Sequence, residues 1–487
     1  MIVGRSEVHL LGLAFVLSMA ACGVESPPSE GAANPKGLPN IVLVFTDDQG
    51  WGDVGVQGAQ GFETPHIDRL ASEGVRFTDF YVSQPVCSAS RASLLTGCYA
   101  NRIGISGALN PAAKEGIHAA ETTLAELCRD AGYATAAFGK WHLGNNPKFL
   151  PTRHGFDEYY GIPYSNDMWP QHPESPKAWP PLPLLEGEEV VELNPDQSLF
   201  TGDFTRRGVD FIERSVEADR PFFLYVAHPM PHVPLFRSEA FAGASEQGMY
   251  GDVIEEIDAS VGSLMDAVER TGQDENTLFI YCSDNGPWLS YGNHAGSSGP
   301  LREGKGTTFE GGVRVPFVAR WPGHIPAGLV CSEPAMTIDV FPTVARLLGA
   351  SLEGQRSIDG LDIWPLMSGE PGATSPHEAL YFYYHKNDLQ AMRVGKWKLH
   401  FPHGYRTMNG RSVGADGIPG KYDYDVKTGV ELYDLEADIG EKNDVSKEHR
   451  DLVKEFAIMA GVMRADLGDK LTGTMGKGRR KPGRVHD

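Results

Sequence analysis

The chain has 487 residues, 41% of them hydrophobic, with 57 Gly, 34 Pro and 8 Trp: enough for a large α/β domain plus a smaller partner, and wrong for a fibrous or disordered protein. A formal net charge of −21 argues against nucleic acid as a partner and repels anionic ligands at long range, so any anion site must gather its own cations. No CxxC or Cys/His spacing suits a zinc site.

The first element is a targeting segment. A single Arg5, an apolar stretch over 10–16 and the small residues Ala20 and Ala21 make residues 1–21 a signal peptide for export, too short to span a membrane. Met19-Ala20-Ala21-Cys22 looks like a bacterial lipobox. It predicts lipidation of Cys22 and a place in the periplasm or at the cell surface, with ordinary cleavage near Ala21 as the alternative. Any membrane contact then runs through that anchor. Residues 22–38, rich in Pro, Gly and Ser, read as a tether.

Four short apolar runs have strand composition, and each is followed at once by polar residues able to do chemistry. Residues 41–45 lead to Asp47-Asp48, 134–138 to Lys140 and His142, 222–226 to His228 and His232, and 278–282 to Asp284-Asn285. Helical periodicity occupies 122–131, 204–218 and 250–271, the last with apolar Val253, Ile254, Ile257, Val261, Leu264 and Met265. This alternation predicts a doubly wound, mostly parallel α/β sheet, in which ligands bind beyond the carboxyl ends of the strands. Singly, Asp47-Asp48 or Asp284-Asn285-Gly286-Pro287 would pass as turn chemistry. Together they predict one cleft. Carboxylates ~4 Å apart repel by about 4 kcal/mol at an effective dielectric of about 20, so Asp47, Asp48 and Asp284 need a cation. Hard carboxylate and amide oxygens suit Ca²⁺ and, less well, Mg²⁺, because Ca²⁺ tolerates irregular carboxylate-rich geometry. Between the first two strands, residues 88–96 form a predicted short helix closed by Gly97, so Cys87 meets a helix N-terminus that favours an anion.

Cys87-Ser88-Ala89-Ser90-Arg91 resembles the signature of the type I, formylglycine-dependent sulfatases, whose maturation enzyme reads Cys-x-Pro/Ala-x-Arg. Ala89 and Arg91 fill the two specified slots. Further likenesses follow in family order over residues 38–370, above all to arylsulfatase A and N-acetylgalactosamine-6-sulfatase: Thr46-Asp47-Asp48-Gln49-Gly50-Trp51-Gly52-Asp53, Gly139-Lys140-Trp141-His142-Leu143-Gly144, Tyr164-Ser165-Asn166-Asp167, Pro231-His232-Val233-Pro234 and Gly304-Lys305-Gly306-Thr307-Thr308-Phe309-Glu310-Gly311-Gly312. The resemblance implies an alkaline-phosphatase-like fold and oxidation of Cys87 to formylglycine, whose hydrate is the nucleophile. It implies that Asp47, Asp48, Asp284, Asn285 and the modified Cys87 surround Ca²⁺. Arg91 is expected to hold the formylglycine hydroxyl and a neighbouring carboxylate, and His142 to pair with the hydrate. Lys140, Ser165, His232 and Lys305 are expected on the sulfate ester, with His232 or Lys305 helping the leaving oxygen.

The function so implied is hydrolysis of sulfate monoesters carried by glycans or small molecules, with a formylglycine-generating enzyme as maturation partner. A phosphate or phosphonate monoesterase of the same superfamily is one alternative. A non-catalytic glycan-binding lipoprotein is another, against which the intact Cys87, Arg91, His142 and metal positions argue. With Cys22 and Cys87 used, Cys98, Cys128, Cys282 and Cys331 allow three pairings or remain free thiols.

The texture changes near residue 375. Strand-like runs at 379–384, 389–394, 397–401 and 431–435, a hairpin candidate at Arg393-Val394-Gly395-Lys396-Trp397 and a helix over 447–467 predict a small α+β subdomain. The expected organisation is a catalytic domain over 39–370, that subdomain over 371–467 and a disordered basic tail over 468–487. His228 is assigned no role, and His400 and His403 read as solvated strand-end residues. The Pro-rich stretch 169–183 reads as a loop near the cleft that tunes specificity.

Overall fold

A computed structural model describes residues 37–486; the signal segment, Cys22 and the tether up to residue 36 lie outside the described residues. One ten-stranded sheet organises the molecule. Edge to edge it runs Leu329–Cys331, Val75–Phe77, Phe317–Arg320, Thr277–Ser283, Asn40–Thr46, Phe222–Ala227, Ala134–Lys140, Glu158–Ile162, Pro183–Glu186 and Glu189–Leu193. The five central strands, from Thr277–Ser283 to Glu158–Ile162, pair in parallel, and their neighbours on both sides run antiparallel. The doubly wound parallel centre is therefore as expected, with antiparallel flanks that the sequence pattern does not announce.

Asn40–Thr46 sits in the middle because both of its faces are apolar. Ile41, Leu43 and Phe45 belong to one packed layer and Val42 and Val44 to the other, all fully buried. Helices Phe200–Glu217 and Met249–Arg270 cover the valine face through Phe204, Phe211, Val253, Ile257 and Leu264. Helices Cys87–Thr96, Leu124–Asp130 and Val340–Leu347 cover the other through Ala92, Leu94, Leu95, Leu124 and Phe341. Thr123 starts the Leu124–Asp130 helix with a reciprocal cap: its hydroxyl accepts from the Glu126 amide (3.1 Å) and Glu126 accepts from the Thr123 amide (2.8 Å).

The C-terminal part builds a four-stranded antiparallel sheet from Leu380–Tyr384, Asp388–Val394, Trp397–His400 and Glu431–Asp434, a two-stranded ribbon from His403–Thr407 and Asp423–Thr428, and the helix Arg450–Leu467. Two expectations need correction here. His400 and His403 are buried, not solvated: His400 Nε2 meets Glu441 at 2.8 Å and its ring stacks on Phe309. The basic tail is not disordered over 468–486. Gly483–Arg484 pairs antiparallel with Glu115–Gly116, and Arg480 reaches the buried Glu121 at 2.7 Å. The acid partners that hold this tail lie more than three hundred residues away in the chain, where local charge patterning cannot register them. Cys98, Cys128, Cys282 and Cys331 are free buried thiols.

Candidate active site

The polar residues that follow the central strands meet beyond their carboxyl ends. Asp47 and Asp48 leave Asn40–Thr46, Lys140 ends Ala134–Lys140 with His142 two residues on, His232 follows Phe222–Ala227, and Asp284 and Asn285 follow Thr277–Ser283. Asp48 and His142 both stand at φ 63°, a left-handed conformation that costs a non-glycine residue of order 1 to 3 kcal/mol and that the packing around the site must impose. Gly139 (φ 119°) precedes Lys140 where a Cβ would overlap the Ala227 carbonyl, so only glycine lets the two strands close up there.

Cys87 is the first residue of the helix Cys87–Thr96. Val86 supplies no side-chain cap, and the helix ends on Gly97 at φ 67°. The Cys87 thiol donates to Asp47 Oδ1 (3.3 Å) and lies 3.4 Å from Lys305 Nζ. One turn later Arg91, fully buried, donates from Nε (3.1 Å) and Nη2 (2.8 Å) to Asp284 Oδ2 and from Nη1 to the Lys140 carbonyl (3.2 Å). Lys140 Nζ pairs with Asp47 Oδ2 and donates to Ser165 Oγ (3.0 Å), while Lys305 Nζ pairs with Asp48 (2.7 Å). The Asp48 amide donates to Asp284 Oδ1 (3.0 Å), and Asn285 Nδ2 donates to Asp48 Oδ1 (2.7 Å). His232 Nε2 stands 3.5 Å from Asp48 Oδ2. Apart from His228, the residues singled out from the strand ends, the helix start and the Lys305 loop thus join one connected buried cluster; His142, close enough to feel the Lys140 and Arg91 charges, borders it.

Burial raises the Asp47 carboxyl, but Lys140, then His232, Arg91 and Lys305, outweigh it and hold the group well below the usual carboxylate range. Asp284 is driven the other way, up to about 8, by burial and then by the charge of Asp47, against the pull of Arg91. Burial, then Asp47, pushes the Cys87 thiol well up, so an unmodified Cys87 stays protonated and a poor nucleophile. Burial, then Lys140 and Arg91, keeps His142 neutral. Its Nε2 lies 2.9 Å from the Leu109 carbonyl, while Nδ1 is buried without a partner. Burial, then Lys305, also lowers His232.

The oxygen donors present suit a hard divalent cation: Asp47 and Asp48 belong to a group in which Cys87 and His232 also offer a ligand atom, all within 4.8 Å of one another, and the Asn285 Oδ1 is buried with no hydrogen-bond partner among the described residues; the thiol and the imidazole are the softer members of the group, and Asp284 lies outside it. The mutual repulsion that raises Asp284 is what such an ion relieves. His232 enters this group, whereas the family resemblance places it on the sulfate ester.

Three contributors were not singled out from the sequence. Trp288 lies under Lys305 Nζ (4.5 Å) and edge-on to His232 (5.6 Å), Leu109 acts through its carbonyl, and Ser88 Oγ accepts from the Leu109 amide (2.9 Å). A backbone oxygen has no residue type to recognise. Trp288 could have been suspected from its place after Asp284-Asn285-Gly286-Pro287. His228 takes no part here; its Nε2 meets Ser260 Oγ (3.1 Å).

A buried cluster of charged side chains around a helix-start cysteine, at the carboxyl end of a parallel sheet, is a setting suited to a hydrolase of charged esters. The chain is matched over residues 39–350 by the Sulfatase family model and over 375–474 by that for the C-terminal region of aryl-sulfatase, and it belongs to the sulfatase family. Canine N-acetylgalactosamine-6-sulfatase (Canis lupus familiaris) is 39% identical over 84% of this chain and 79% of its own length. Human arylsulfatase A (Homo sapiens) is 43% identical over 74% and 75%. Among solved structures, Ps i-CgsB in complex with k-i-k-neocarrahexaose superposes with a TM-score of 0.73 at 31% identity, covering 88% of this chain and 92% of that one. The protein is an enzyme that hydrolyses sulfate esters.

Proposed function

We propose that this sulfatase removes sulfate from sulfated glycans by way of formylglycine at position 87 and a Ca²⁺ ion held by Asp47, Asp48, Asp284, Asn285 and residue 87. The observation that carries the reading is Cys87 itself, fully buried at a helix start between Asp47 and Lys305, where the bare thiol is held protonated. Hydrated formylglycine would supply one hydroxyl to attack sulfur and a second whose deprotonation frees the sulfate, and Ca²⁺ would balance negative charge on both. The carboxylates and Arg91 orient residue 87. Lys140, Ser165 and Lys305 are disposed to hold sulfate oxygens, which keeps the anion in place against the long-range field of the chain. His142, neutral and with Nδ1 open, is suited to take a proton. His232, beside Trp288 and Lys305, is suited to serve the leaving oxygen, shared with Lys305.

The glycan assignment follows the carrahexaose complex of the structural relative and the named substrate of the curated one. Residues 1–22 support export and lipid anchoring. Peptide mass spectrometry of protein from a host with a formylglycine-generating enzyme is expected to find the aldehyde at position 87. Turnover of 4-nitrophenyl sulfate should exceed that of 4-nitrophenyl phosphate, and chelation should abolish it until Ca²⁺ returns. Dominant phosphatase activity, or full activity with an unmodified thiol, would overturn the reading.

A further inference from the structure

Arg406 is a cation at the active-site mouth that forms no carboxylate ion pair among the described residues. It stands on the His403–Thr407 strand of the C-terminal subdomain and is partly exposed. Its Nε (3.0 Å) and Nη2 donate to the Lys305 carbonyl. The guanidinium lies against Gly306, where a Cβ would come within 2.6 Å of Nη2. Its charge faces the Trp288 ring (5.6 Å) and the Tyr422 ring (4.5 Å), and Trp288 is the ring that also touches Lys305 Nζ and His232. Among the described residues no carboxylate stands within ion-pair distance of Arg406; Glu303 on the adjoining loop feels its charge from farther off and is hydrogen-bonded by the Thr407 hydroxyl (2.6 Å). His385 is close enough to Arg406 to feel its charge. In a chain of net charge −21, an arginine held beside Lys305 without an acid adds repulsion and buries no ion pair. Of its five N–H groups, two go to one carbonyl and three remain for a ligand.

We infer that Arg406, walled by Trp288 and Tyr422, is a subsite for a second anionic group of the substrate, a sulfate or a carboxylate on the sugar that adjoins the scissile ester. The inference rests on the glycan sulfatase reading and deepens it: substrates with two anionic groups are preferred, and the C-terminal subdomain selects them. A charge-assisted, forked contact of this kind is worth about ten- to a hundredfold in affinity.

The test compares Arg406→Gln and Arg406→Lys with the parent on four substrates: 4-nitrophenyl sulfate, a monosulfated disaccharide, its disulfated form and a monosulfated disaccharide containing a uronate. KM for the doubly anionic sugars is expected to rise about ten- to a hundredfold in Arg406→Gln, with kcat held within about twofold, and to be partly restored in Arg406→Lys. The aryl sulfate and the singly charged sugar should change by less than about threefold. Which doubly charged sugar loses more tells sulfate from carboxylate. Equal losses on all four substrates would reduce Arg406 to a support for the Lys305 loop and overturn the subsite; so would no loss on any. Calorimetric binding of the disulfated sugar in a Cys87→Ala background gives the same comparison without turnover. Failure of the reaction reading therefore remains separable from failure of this one.

Discussion

His142 Nε2 lies 2.9 Å from the Leu109 carbonyl, an acceptor with no proton to give, so the ring carries its proton on Nε2 and leaves Nδ1 bare inside the site. That carbonyl is held by the helix that begins at Cys87: Ser88 Oγ accepts from the Leu109 amide and the Ala89 amide donates to the Gly107 carbonyl (3.2 Å). The residue next to Cys87 thereby sets the tautomer of the proposed base. Ser88→Ala is expected to lower kcat per formylglycine by about five- to tenfold, the worth of one buried hydrogen bond, and Ser88→Thr to restore it. Mass spectrometric counting of the aldehyde separates this from poor maturation, and an unchanged kcat per aldehyde would refute the link. The meeting of side chains was legible where they follow a strand, as at Asp47, Asp48, Lys140, His142, His232, Asp284 and Asn285, though His228, which also follows one, stays apart. It was illegible at Leu109 and Arg406, which act through a backbone oxygen and through a fold contact between distant segments.

At the scale of elements, the parallel strands and long helices were readable because each carries one period over many residues. The antiparallel edge strands were not, since three-residue pieces such as Val75–Phe77 and Leu329–Cys331 carry no period at all. What docks the elements is partly polar. His228, at the end of Phe222–Ala227, meets Ser260 of Met249–Arg270, and Ser260 meets Thr205 of Phe200–Glu217 (2.6 Å), so one chain of hydrogen bonds ties a strand to two helices. Burial lowers His228 from 6.5 to about 4. The fold therefore keeps it neutral, while below pH 6.5 the unfolded chain takes up the proton. Its contribution to stability is full above pH 6.5 and is lost as the pH falls toward 4, up to about 3 kcal/mol in all. His228→Gln retains a hydrogen-bonding amide without the titration. Urea unfolding at pH 7 and pH 4.5 should show parent and variant converging, or crossing, on acidification, and a gap independent of pH would contradict the assignment.

At the scale of the whole molecule, the two parts of the chain are joined by buried charge. Lys398 of the C-terminal sheet meets Glu310 (2.7 Å), which follows the Lys305 loop, and Glu441, held within the C-terminal part by Lys398 (3.2 Å) and His400 (2.8 Å), accepts from the Glu310 amide (2.7 Å). The tail completes the closure. Arg480 binds Glu121 (2.7 Å) and the Ser357 carbonyl (2.7 Å), and Gly483–Arg484 adds a strand to Glu115–Gly116, so the last residues clamp the connection that carries Leu109. Sequence composition suggested a solubilising tail because Lys477, Arg479, Arg480 and Lys481 look alike in one dimension. Only Arg480 faces a carboxylate that is 2% exposed. Arg480→Ala leaves Glu121 with Arg356 alone and is expected to cost about 2 kcal/mol in urea unfolding, whereas the exposed Lys481→Ala should stay within about 0.5 kcal/mol. Removing residues 479–487 should go further, opening the 98–121 connection to proteolysis and lowering kcat through Leu109 and His142. A truncated enzyme with unaltered kcat and protease resistance would show that the clamp is passive, and that the helix from Cys87 alone is sufficient to position the proposed base.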